Sequence, residues 1–426
     1  MKPIKQELEE RGLLYQNSNE ELFQKIDSGE ADFYCGFDPT ADSLHLGNFI
    51  GFMVAVHLMK RGNKYTALTG GATGMIGDPG GKNSERDFLS LDDLEKNQIS
   101  ISKQISGISD NLQDFTGDTF RYDFVNNKSF YENMNFLDFL REVGKFMTVN
   151  VMMGKDTVKK RIEDPSQSIS YTEFSYQLLQ GYDFCRLHKD SGVILQIGGQ
   201  DQWGNLVTGT ELIRKKYESE SYALTWPLIT DSSGKKFGKS EGNALFLDKN
   251  KTSPYEIYQY FMNTADEELA RYLKMLTLIE VEDIDKIVED HMTQPEKRTG
   301  QKTLAFKVVE IIHGTIEAEQ AEKITDFMFG AGNKVELLGE LSPTELTSYQ
   351  LAMGGVDYNE QNLFGIMVES GLAKSNSEAR NAVSSGAVLI NGEKISDPKT
   401  DISTMFLKNN SFLLQKGKKN LRIIKK

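Results

Sequence analysis

The chain has 426 residues, of which 38% are hydrophobic and 26% charged, as is typical of a globular protein of two or three domains. The longest apolar run, residues 49–59, is too short for a membrane span, and the charged start MKPIKQELEERGLLYQ lacks the apolar centre of a secretory signal. Two cysteines and five scattered histidines argue against a disulfide framework and a zinc site. We therefore expect a cytoplasmic protein with no resident metal and no membrane contact.

The formal net charge of −13 is unevenly distributed. Residues 355–426 contain 11 Lys and Arg against 7 Asp and Glu, so this segment carries +4 and the remainder −17. A basic module on an acidic body is typical of a local surface that contacts phosphates. A solvated basic tail is the alternative, and charge alone favours it.

The first half of the chain alternates between strand-like and helix-like segments. The predicted strands are rich in aromatic and β-branched residues and cover 32–38, 65–70, 120–125 and 193–199. A helix is predicted at 46–61, with Gly62 in the position of its C-terminal cap. This alternation predicts an α/β domain with a parallel sheet, interrupted by a mostly helical insertion at about 126–175. Ligands of such sheets bind beyond the carboxyl ends of the strands.

The helix that follows the first strand begins in FDPTADSLHLGN, residues 37–48. His45 and Asn48 lie three positions apart, so both occupy its first turn, where backbone N–H groups favour an anion. Gly47 leaves room for a flat ligand beside the backbone. A capping histidine with no ligand is the alternative, and the short motif by itself favours it.

Two glycine-rich segments invite comparison with a phosphate-binding loop: GGATGMIGDPGGK (70–82) and SSGKKFGKS (232–240). Neither satisfies the G-x-x-x-x-G-K-[ST] pattern, because Ile76 and Ser233 stand where its first glycine is required. Lys236 and Lys239 could still close over a polyphosphate and stabilise its charge. Two lysines at this spacing are more often simply solvated.

Polar residues also recur at helical spacing in YTEFSYQLLQGYDF, residues 171–184. Tyr176, Gln180 and Asp183 form one stripe, which suits recognition of a small polar ligand, although an exposed helix face is equally compatible. The segment LQIGGQDQWGN (195–205) places three more polar residues at the carboxyl edge of the sheet: Gln196, Asp201 and Gln202.

After about residue 250 the pattern becomes helical. Ser253 with Glu256, and Thr264 with Glu267, each have the spacing of a helix-starting capping box. Nearer the C-terminus, SNSEARNAVSSG predicts a capped helix, and AVLINGEKI predicts a hairpin that turns at Asn391-Gly392. The chain is therefore expected to end in a small α+β module.

HLGN (45–48) and KFGKS (236–240) resemble the HIGH-type and KMSKS-type signatures of class I aminoacyl-tRNA synthetases. Together with GFDPTADSLHLGN, GDPGGK, YTEFSYQLLQGYDF and GGQDQWGN, they resemble the bacterial tyrosyl-tRNA synthetases over nearly the whole chain. Residues 360–426 are similar to the small RNA-binding module of that family. Asn48 replaces the second histidine of the first signature, and KFGKS lacks the methionine and first serine of the second.

The resemblance implies four regions. These are a Rossmann-like parallel-sheet catalytic domain at 1–225 with its helical insertion at about 126–175, a KMSKS-type loop region at 226–250, an all-helical domain at 251–350, and a small α+β RNA-binding domain at 355–426. It also implies the family's reaction, in which L-tyrosine and ATP, accompanied by Mg²⁺, give tyrosyl-adenylate, and tRNA(Tyr) then receives the tyrosyl group. A homodimer formed through the insertion is implied as well.

The resemblance assigns roles to individual residues. The tyrosine-binding set is Tyr34 and Asp183 at the phenol, with Asp78, Tyr176 and Gln180 at the ammonium group. The adenylate and ATP-binding set is Gly36, Asp38, Gly47, Gln196, Asp201, Gln202 and Ser240. The catalytic set, which acts on the phosphates, is Thr40, His45, Asn48, Lys82, Arg86, Lys236 and Lys239.

Two alternatives are related enzymes, and a third belongs to a different class, that of non-catalytic RNA-binding proteins. Tryptophanyl-tRNA synthetases share the fold and both signatures, but they lack the C-terminal module and are not expected to repeat the Tyr34 and Asp183 pair. Small-molecule nucleotidyltransferases of the superfamily are shorter. An inactive RNA-binding paralogue is disfavoured by the intact His45, Asn48 and lysine positions.

A further hypothesis is that four basic residues of the insertion contact the tRNA acceptor stem, namely Lys155, Lys159, Lys160 and Arg161. A solvated basic face is the alternative.

Overall fold

The computed structural model describes residues 1–78, 89–164, 166, 168–229, 237–240, 243–330, 332–359, 362–397, 399–417 and 420–426. They form two compact units: Met1–Thr252 with Tyr260–Thr315, and Ser253–Gln259 with Ile316–Lys426. The helical stretch predicted at 251–350 is therefore divided between the two units. Within the described ranges, no helix is long and apolar enough to cross a membrane.

The first unit is built on a six-stranded sheet. Its strands in chain order are β1 (Gln16–Asn17), β2 (Phe33–Phe37), β3 (Tyr65–Thr69), β4 (Tyr122–Asn126), β5 (Leu195–Gly199) and β6 (Tyr222–Trp226). The spatial order is β1-β6-β5-β2-β3-β4. All neighbours pair in parallel except β1, which runs antiparallel to β6. The four predicted strands and the α/β fold with a parallel sheet are confirmed, and β1 makes the sheet mixed.

Helices surround this sheet and continue after it. They are α1 (Ile4–Glu10), α2 (Glu21–Asp27), α3 (Leu46–Met59), α4 (Leu91–Thr116), α5 (Lys128–Tyr131), α6 (Phe136–Glu142), α7 (Val149–Met153), α8 (Asp156–Glu163), α9 (Tyr171–Ser191), α10 (Trp203–Tyr217), α11 (Pro254–Met262), α12 (Asp266–Leu276), α13 (Val281–Thr293) and α14 (Thr299–His313). The predicted helix 46–61 is α3, and Gly62 follows it at φ +86°. Almost all of α3 is buried, because it lies between the sheet and α12.

Helix α9 carries the predicted polar stripe and is held firmly at its N-terminus. Ser170 accepts a hydrogen bond from the Glu173 backbone N (3.2 Å), and Glu173 caps the helix in return. Along its length α9 packs closely on α10, where a Cβ added to Gly209 would lie only 2.7 Å from the Phe184 ring. The side chains of α9 are therefore presented to the sheet from a fixed backbone.

The insertion contains α5 to α8, as predicted. The structure does not support the hypothesis that all four of its basic residues are available to tRNA. Arg161 is 5% exposed and pairs with Glu173 at 2.9 Å, so it fastens α8 to the start of α9 and is not available at the surface. The Lys155 ammonium is half-buried and donates to the Gly204 carbonyl. Only Lys159 and Lys160 of the four basic residues are exposed.

The two predicted capping boxes have different outcomes. Ser253 and Glu256 form theirs at the start of α11, with Ser253 N donating to Glu256 at 2.7 Å. The prediction for Thr264 is wrong, because α12 begins one residue later with Ala265 as its N-cap and no side-chain cap. The physical reason is tertiary, since the Asp266 carboxylate at the helix start is held by Gln301 (2.6 Å) and His291 (3.0 Å).

The second unit ends in the predicted α+β module. Its remaining elements are α15 (Thr315–Phe329), α16 (Lys334–Glu340), α17 (Pro343–Ala352), α18 (Leu363–Glu369), α19 (Asn376–Ser384), β9 (Val356–Asp357), β10 (Val388–Ile390), β11 (Glu393–Ile395), β12 (Ser411–Lys416) and β13 (Asn420–Lys425). The hairpin turns at Asn391 (φ 49°) and Gly392 (φ 82°), as predicted, because both positions of this turn require a positive φ. The sheet order is β11-β10-β12-β13-β9.

Candidate active site

Several of the polar residues singled out in the first unit lie together at the carboxyl edge of the sheet. Strand β2 lies between β5 and β3, so the chain leaves neighbouring strands in opposite directions there. A crevice forms at such a switch point, and ligands of parallel sheets bind in it. The start of α3 and the buried face of α9 border this edge.

The HLGN segment forms the N-terminus of α3. His45 is its N-cap residue with extended backbone, and the Asn48 side-chain oxygen accepts from the His45 backbone N at 3.1 Å. A Cβ on Gly47 would lie 2.9 Å from the His45 ring, so the imidazole covers Gly47 at the end of the helix. The imidazole and the Gly47 backbone thus lie together at the end of the helix where the dipole favours negative charge.

The segment after KFGKS lies directly against HLGN. Leu46 N donates to Leu245 O, and Leu247 N donates to Leu44 O, each at 2.8 Å. Gly238 has φ +78°, and a Cβ there would lie 3.1 Å from Gly47 N, so this approach requires a glycine. The two signatures, about 190 residues apart in sequence, are adjacent in the fold.

Several predicted phosphate-contacting residues cannot be placed. Lys82, Arg86 and Lys236 lie outside the described residues. Lys239 and Ser240 form the short strand β7, which pairs with β8 (Asn243–Ala244), but their side chains are not described. Thr40 is exposed on the loop between β2 and α3, where its backbone N donates to Asp38 O at 2.8 Å.

One end of the crevice is lined by hydrogen-bonded acids. The Asp38 carboxylate accepts from the Tyr176 hydroxyl (2.8 Å) and from the Thr73 hydroxyl (2.7 Å). The Asp78 carboxylate accepts from the Gln202 side chain at 2.5 Å. Acceptor oxygens arranged in this way suit a small cationic group. Asp201 is exposed in the short helical turn after β5.

Asp183 is the most unusual carboxylate of the site, because it is buried at 1% exposure and none of the described residues gives it a cationic partner. It accepts from the Asn127 side chain and from the Tyr131 hydroxyl, both at 2.9 Å. Burial raises the pKa of Asp183 to about 7, against the two hydrogen bonds, which lower it. A buried acceptor of this kind is expensive to maintain and indicates a polar ligand.

Three buried polar atoms of the site have no hydrogen-bond partner among the described residues. They are the Tyr34 hydroxyl, Gln180 Oε1 and Gln196 Oε1. Tyr34 and Gln196 are register partners on β2 and β5, so their side chains share one face of the sheet. Buried polar atoms are normally paired, and a bound ligand is the simplest partner for these three.

Gly36 supports the same conclusion. It is exposed in the middle of the sheet, where a glycine weakens a strand. A Cβ there would meet only the Leu68 side chain, at an ordinary 3.5 Å. Since packing within the chain does not require a glycine, its absent side chain leaves room for a ligand.

Sequence reasoning missed Thr73, which contacts Asp38, and both partners of Asp183, Asn127 and Tyr131. Asn127 lies directly after β4, so the rule that ligands bind beyond the carboxyl ends of strands could have found it. Tyr131 comes from α5 in the insertion and carried no such signal. Both residues donate hydrogen bonds to Asp183, although each lies more than fifty residues away from it in sequence.

Comparisons with known proteins agree with this geometry. Residues 27–330 match the family model of class I tRNA synthetases for tryptophan and tyrosine, and residues 347–424 match that of the C-terminal domain of tyrosine–tRNA ligases. A tyrosine–tRNA ligase of Streptococcus agalactiae is 45% identical over 426 residues, which is 98% of each chain.

The chain belongs to the tyrosine–tRNA ligase family. Another relative, the tyrosine–tRNA ligase of Streptococcus gordonii, is 43% identical over 98% of each chain. Among solved structures, a C-terminally truncated mitochondrial tyrosyl-tRNA synthetase of Aspergillus nidulans has a TM-score of 0.70 at 31% identity, covering 77% of this chain and 95% of that one. A tryptophanyl-tRNA synthetase of Plasmodium falciparum shares the fold at 16% identity, with a TM-score of 0.53 over 82% of this chain and 90% of its own.

Proposed function

We infer that this chain, like the tyrosine–tRNA ligases it resembles, activates L-tyrosine with ATP and transfers the tyrosyl group to the 3′-terminal adenosine of tRNA(Tyr). The observation that carries the choice of amino acid is the buried Asp183 together with the unpartnered Tyr34 hydroxyl. A phenol can donate to Asp183 and accept from Tyr34 at the same time. An indole N–H can only donate, so tryptophan would leave Tyr34 without a partner.

The ammonium group of the substrate would bind at the other end of the crevice. It has three donors, and acceptors are available at Gln180 Oε1, the Asp78 carboxylate and the Tyr176 hydroxyl. Tyr176 donates its own hydrogen to Asp38, so its oxygen remains free to accept. Gly36 and Gln196 would face the body of the adenylate, with Asp201 and Gln202 beside it.

The first chemical step would need no general base, because the substrate carboxylate is already ionised at neutral pH. Its oxygen attacks the α-phosphorus in line, the bond from that phosphorus to the bridging oxygen breaks, and pyrophosphate leaves. His45, Thr40 and the backbone at Gly47 would stabilise the phosphate, with Asn48 capping the helix. Lys82, Arg86, Lys236 and Lys239 would neutralise the leaving group, and Ser240 would complete their loop.

Mg²⁺ would accompany ATP, shielding the charge of its phosphates. Among the described residues, no three metal-ligating side chains converge. In the second step a ribose hydroxyl of tRNA attacks the tyrosyl carbonyl and AMP departs.

The basic module at 355–426 would hold the tRNA. The proposed location of the protein is the cytoplasm, where these substrates are present.

The test of the amino-acid choice is exchange of labelled pyrophosphate into ATP without tRNA, with tyrosine, phenylalanine and tryptophan compared. We expect exchange with tyrosine alone. Exchange with tryptophan would retain the fold and contradict the proposed role of Tyr34 and Asp183. No exchange with any of the three, from folded protein with Mg²⁺, would favour an inactive RNA-binding paralogue.

A homodimer through the insertion is also proposed. Helix α6 exposes large apolar side chains, among them Phe136 (62%) and Leu137 (69%), and α7 exposes others, among them Val149 (58%). Apolar side chains grouped in this way are typical of an interface, and the family resemblance identifies the occupant as a second copy of the chain.

Replacing both Phe136 and Leu137 by aspartate is expected to give monomers at micromolar concentration, because two charges would be buried at the interface. Sedimentation velocity would measure this. Leu351→Asp serves as the control, since Leu351 is 75% exposed on α17, outside the insertion, and should leave the mass unchanged. A double variant that sediments as the unaltered protein does would contradict the proposed interface.

A further inference from the structure

Tyr131 brings a side chain from a helix of the insertion into the site. This residue ends the four-residue helix α5, and its ring packs against those of Tyr182 (5.6 Å between centroids) and Phe139 (6.5 Å). Its hydroxyl lies 2.9 Å from the Asp183 carboxylate and 2.9 Å from the Leu179 carbonyl. The ring is thus anchored, and the hydroxyl has two acceptors in reach.

A phenol has one hydrogen, so only one of these acceptors can receive it at a time. When Asp183 is ionised, the charged oxygen attracts the hydrogen more strongly than the carbonyl does. When that oxygen of Asp183 is protonated, it can donate to Tyr131, whose own hydrogen then turns to Leu179. Tyr131 therefore has a hydrogen-bonding arrangement for each protonation state of Asp183.

Asn127, the other partner of Asp183, has no such freedom. Its side-chain oxygen accepts from the Ala72 backbone N at 2.7 Å, which fixes the orientation of the amide. Its nitrogen is therefore always the atom that faces Asp183, and it can only donate. Of the two partners, only Tyr131 can respond to the charge of the carboxylate.

We propose that Tyr131 is a positioning residue that holds Asp183 as an ionised acceptor aimed at the substrate phenol, and so contributes to the selection of tyrosine over phenylalanine. This rests on the proposed function, in which Asp183 binds the phenol. The hydrogen bond from Tyr131 lowers the pKa of Asp183, opposing burial. The titratable and polar groups that face or influence Asp183 are Tyr34, Asp38, Asn127, Tyr131, Tyr176 and Cys185.

The test is Tyr131→Phe, which removes the hydroxyl and keeps the ring. We expect kcat/KM for tyrosine in pyrophosphate exchange to fall about tenfold through KM, and the tyrosine-to-phenylalanine ratio to fall by about the same factor, as for loss of one hydrogen bond to a charged group. The fall in kcat/KM for tyrosine at low pH should also begin at a higher pH than in the unaltered enzyme. A merely structural role would weaken both amino acids alike and leave the pH profile in place.

Tyr182→Phe is the matched control, because its ring lies in the same cluster while its hydroxyl lies beside Arg186 and not Asp183. Tyr131→Leu is a second variant without the hydroxyl and should shift the pH profile in the same direction. An unchanged ratio and profile in both Tyr131 variants, or equal changes in Tyr182→Phe, would overturn the proposal. Absence of tyrosine-dependent exchange in the unaltered chain would instead contradict the proposed function itself.

Discussion

Replacing Asp183 by asparagine is expected to lower kcat/KM for tyrosine about a hundredfold, and kcat/KM for phenylalanine much less. The substrate phenol loses a charged acceptor, and hydrogen bonds to charged groups contribute about 1.5–3 kcal/mol. Phenylalanine offers no hydroxyl, so it loses no such bond. Tyrosyl-tRNA synthetases are themselves the standard example of a site that rejects an analogue by leaving its own polar groups unpaired. Pyrophosphate exchange with both amino acids would measure the ratio.

The pH dependence provides a second readout for the same variant. Below pH 7 the carboxyl of Asp183 is increasingly protonated, because burial raises its pKa to about 7. For the unaltered enzyme, kcat/KM for tyrosine is therefore expected to fall about tenfold per pH unit on the acid side of that value. Asparagine cannot titrate, so kcat/KM of Asp183→Asn for tyrosine should not show this fall at acid pH.

Asp190→Asn is the matched control, since Asp190 lies on the same helix but is exposed and pairs with Arg186 at 2.8 Å. It should change neither the amino-acid ratio nor the pH profile. Thermal unfolding of both variants would separate a loss of stability from a loss of recognition. If Asp183→Asn kept the ratio of the unaltered enzyme, Asp183 could not be the group that reads the phenol.

Replacing His45 by alanine is expected to lower kcat for adenylate formation about 100- to 1,000-fold, with KM for tyrosine little changed. The imidazole lies at the N-terminus of α3, where charge would develop on the phosphate, and removal of one such donor typically has this effect. Single-turnover formation of the adenylate would measure the chemical step directly. In the proposed arrangement tyrosine contacts Asp183, Tyr34 and Asp78 and not His45, so its binding should not depend on this side chain.

The competing explanation is that His45 merely caps its helix, and His45→Asn separates the two roles. Asparagine is among the best capping residues, so this variant should retain the stability that alanine loses, about 1 kcal/mol. If the imidazole acts on the phosphate, both variants are equally slow and only His45→Ala is less stable. If His45→Asn instead restores kcat, capping is the whole role of His45.

Local sequence was sufficient to predict several features of this protein. The Ser253–Glu256 capping box and the Asn391-Gly392 turn each depend on a few neighbouring residues, and both formed as predicted. Four of the six strands of the sheet, β2 to β5, were predicted from their β-branched and aromatic content. The helix start at His45 was predictable for a similar reason, because His45 and its partner Asn48 are close in sequence.

Features that depend on distant partners could not be predicted in this way. Thr264 has the spacing of a cap, yet the contacts of Asp266 with His291 and Gln301 move the helix start. Arg161 lies in a basic segment whose pattern predicts an exposed, solvated face, yet its ion pair with Glu173 holds it in the interior. For Thr264 the distant contacts outweigh a capping preference of about 1 kcal/mol. For Arg161 the ion pair with Glu173 offsets the larger cost of removing a charge from water.

The same division runs through the site. The sequence by itself indicated which residues could line the site, because Tyr176, Gln180 and Asp183 recur at helical spacing, while Gly36 in β2 and Asp38 after it were assigned by the family resemblance. Only the tertiary structure decided that Asp183 is buried between Asn127 and Tyr131 and raised in pKa. Burial and hydrogen bonding are properties of the assembled surroundings, and here those come from the end of a different strand and from the insertion.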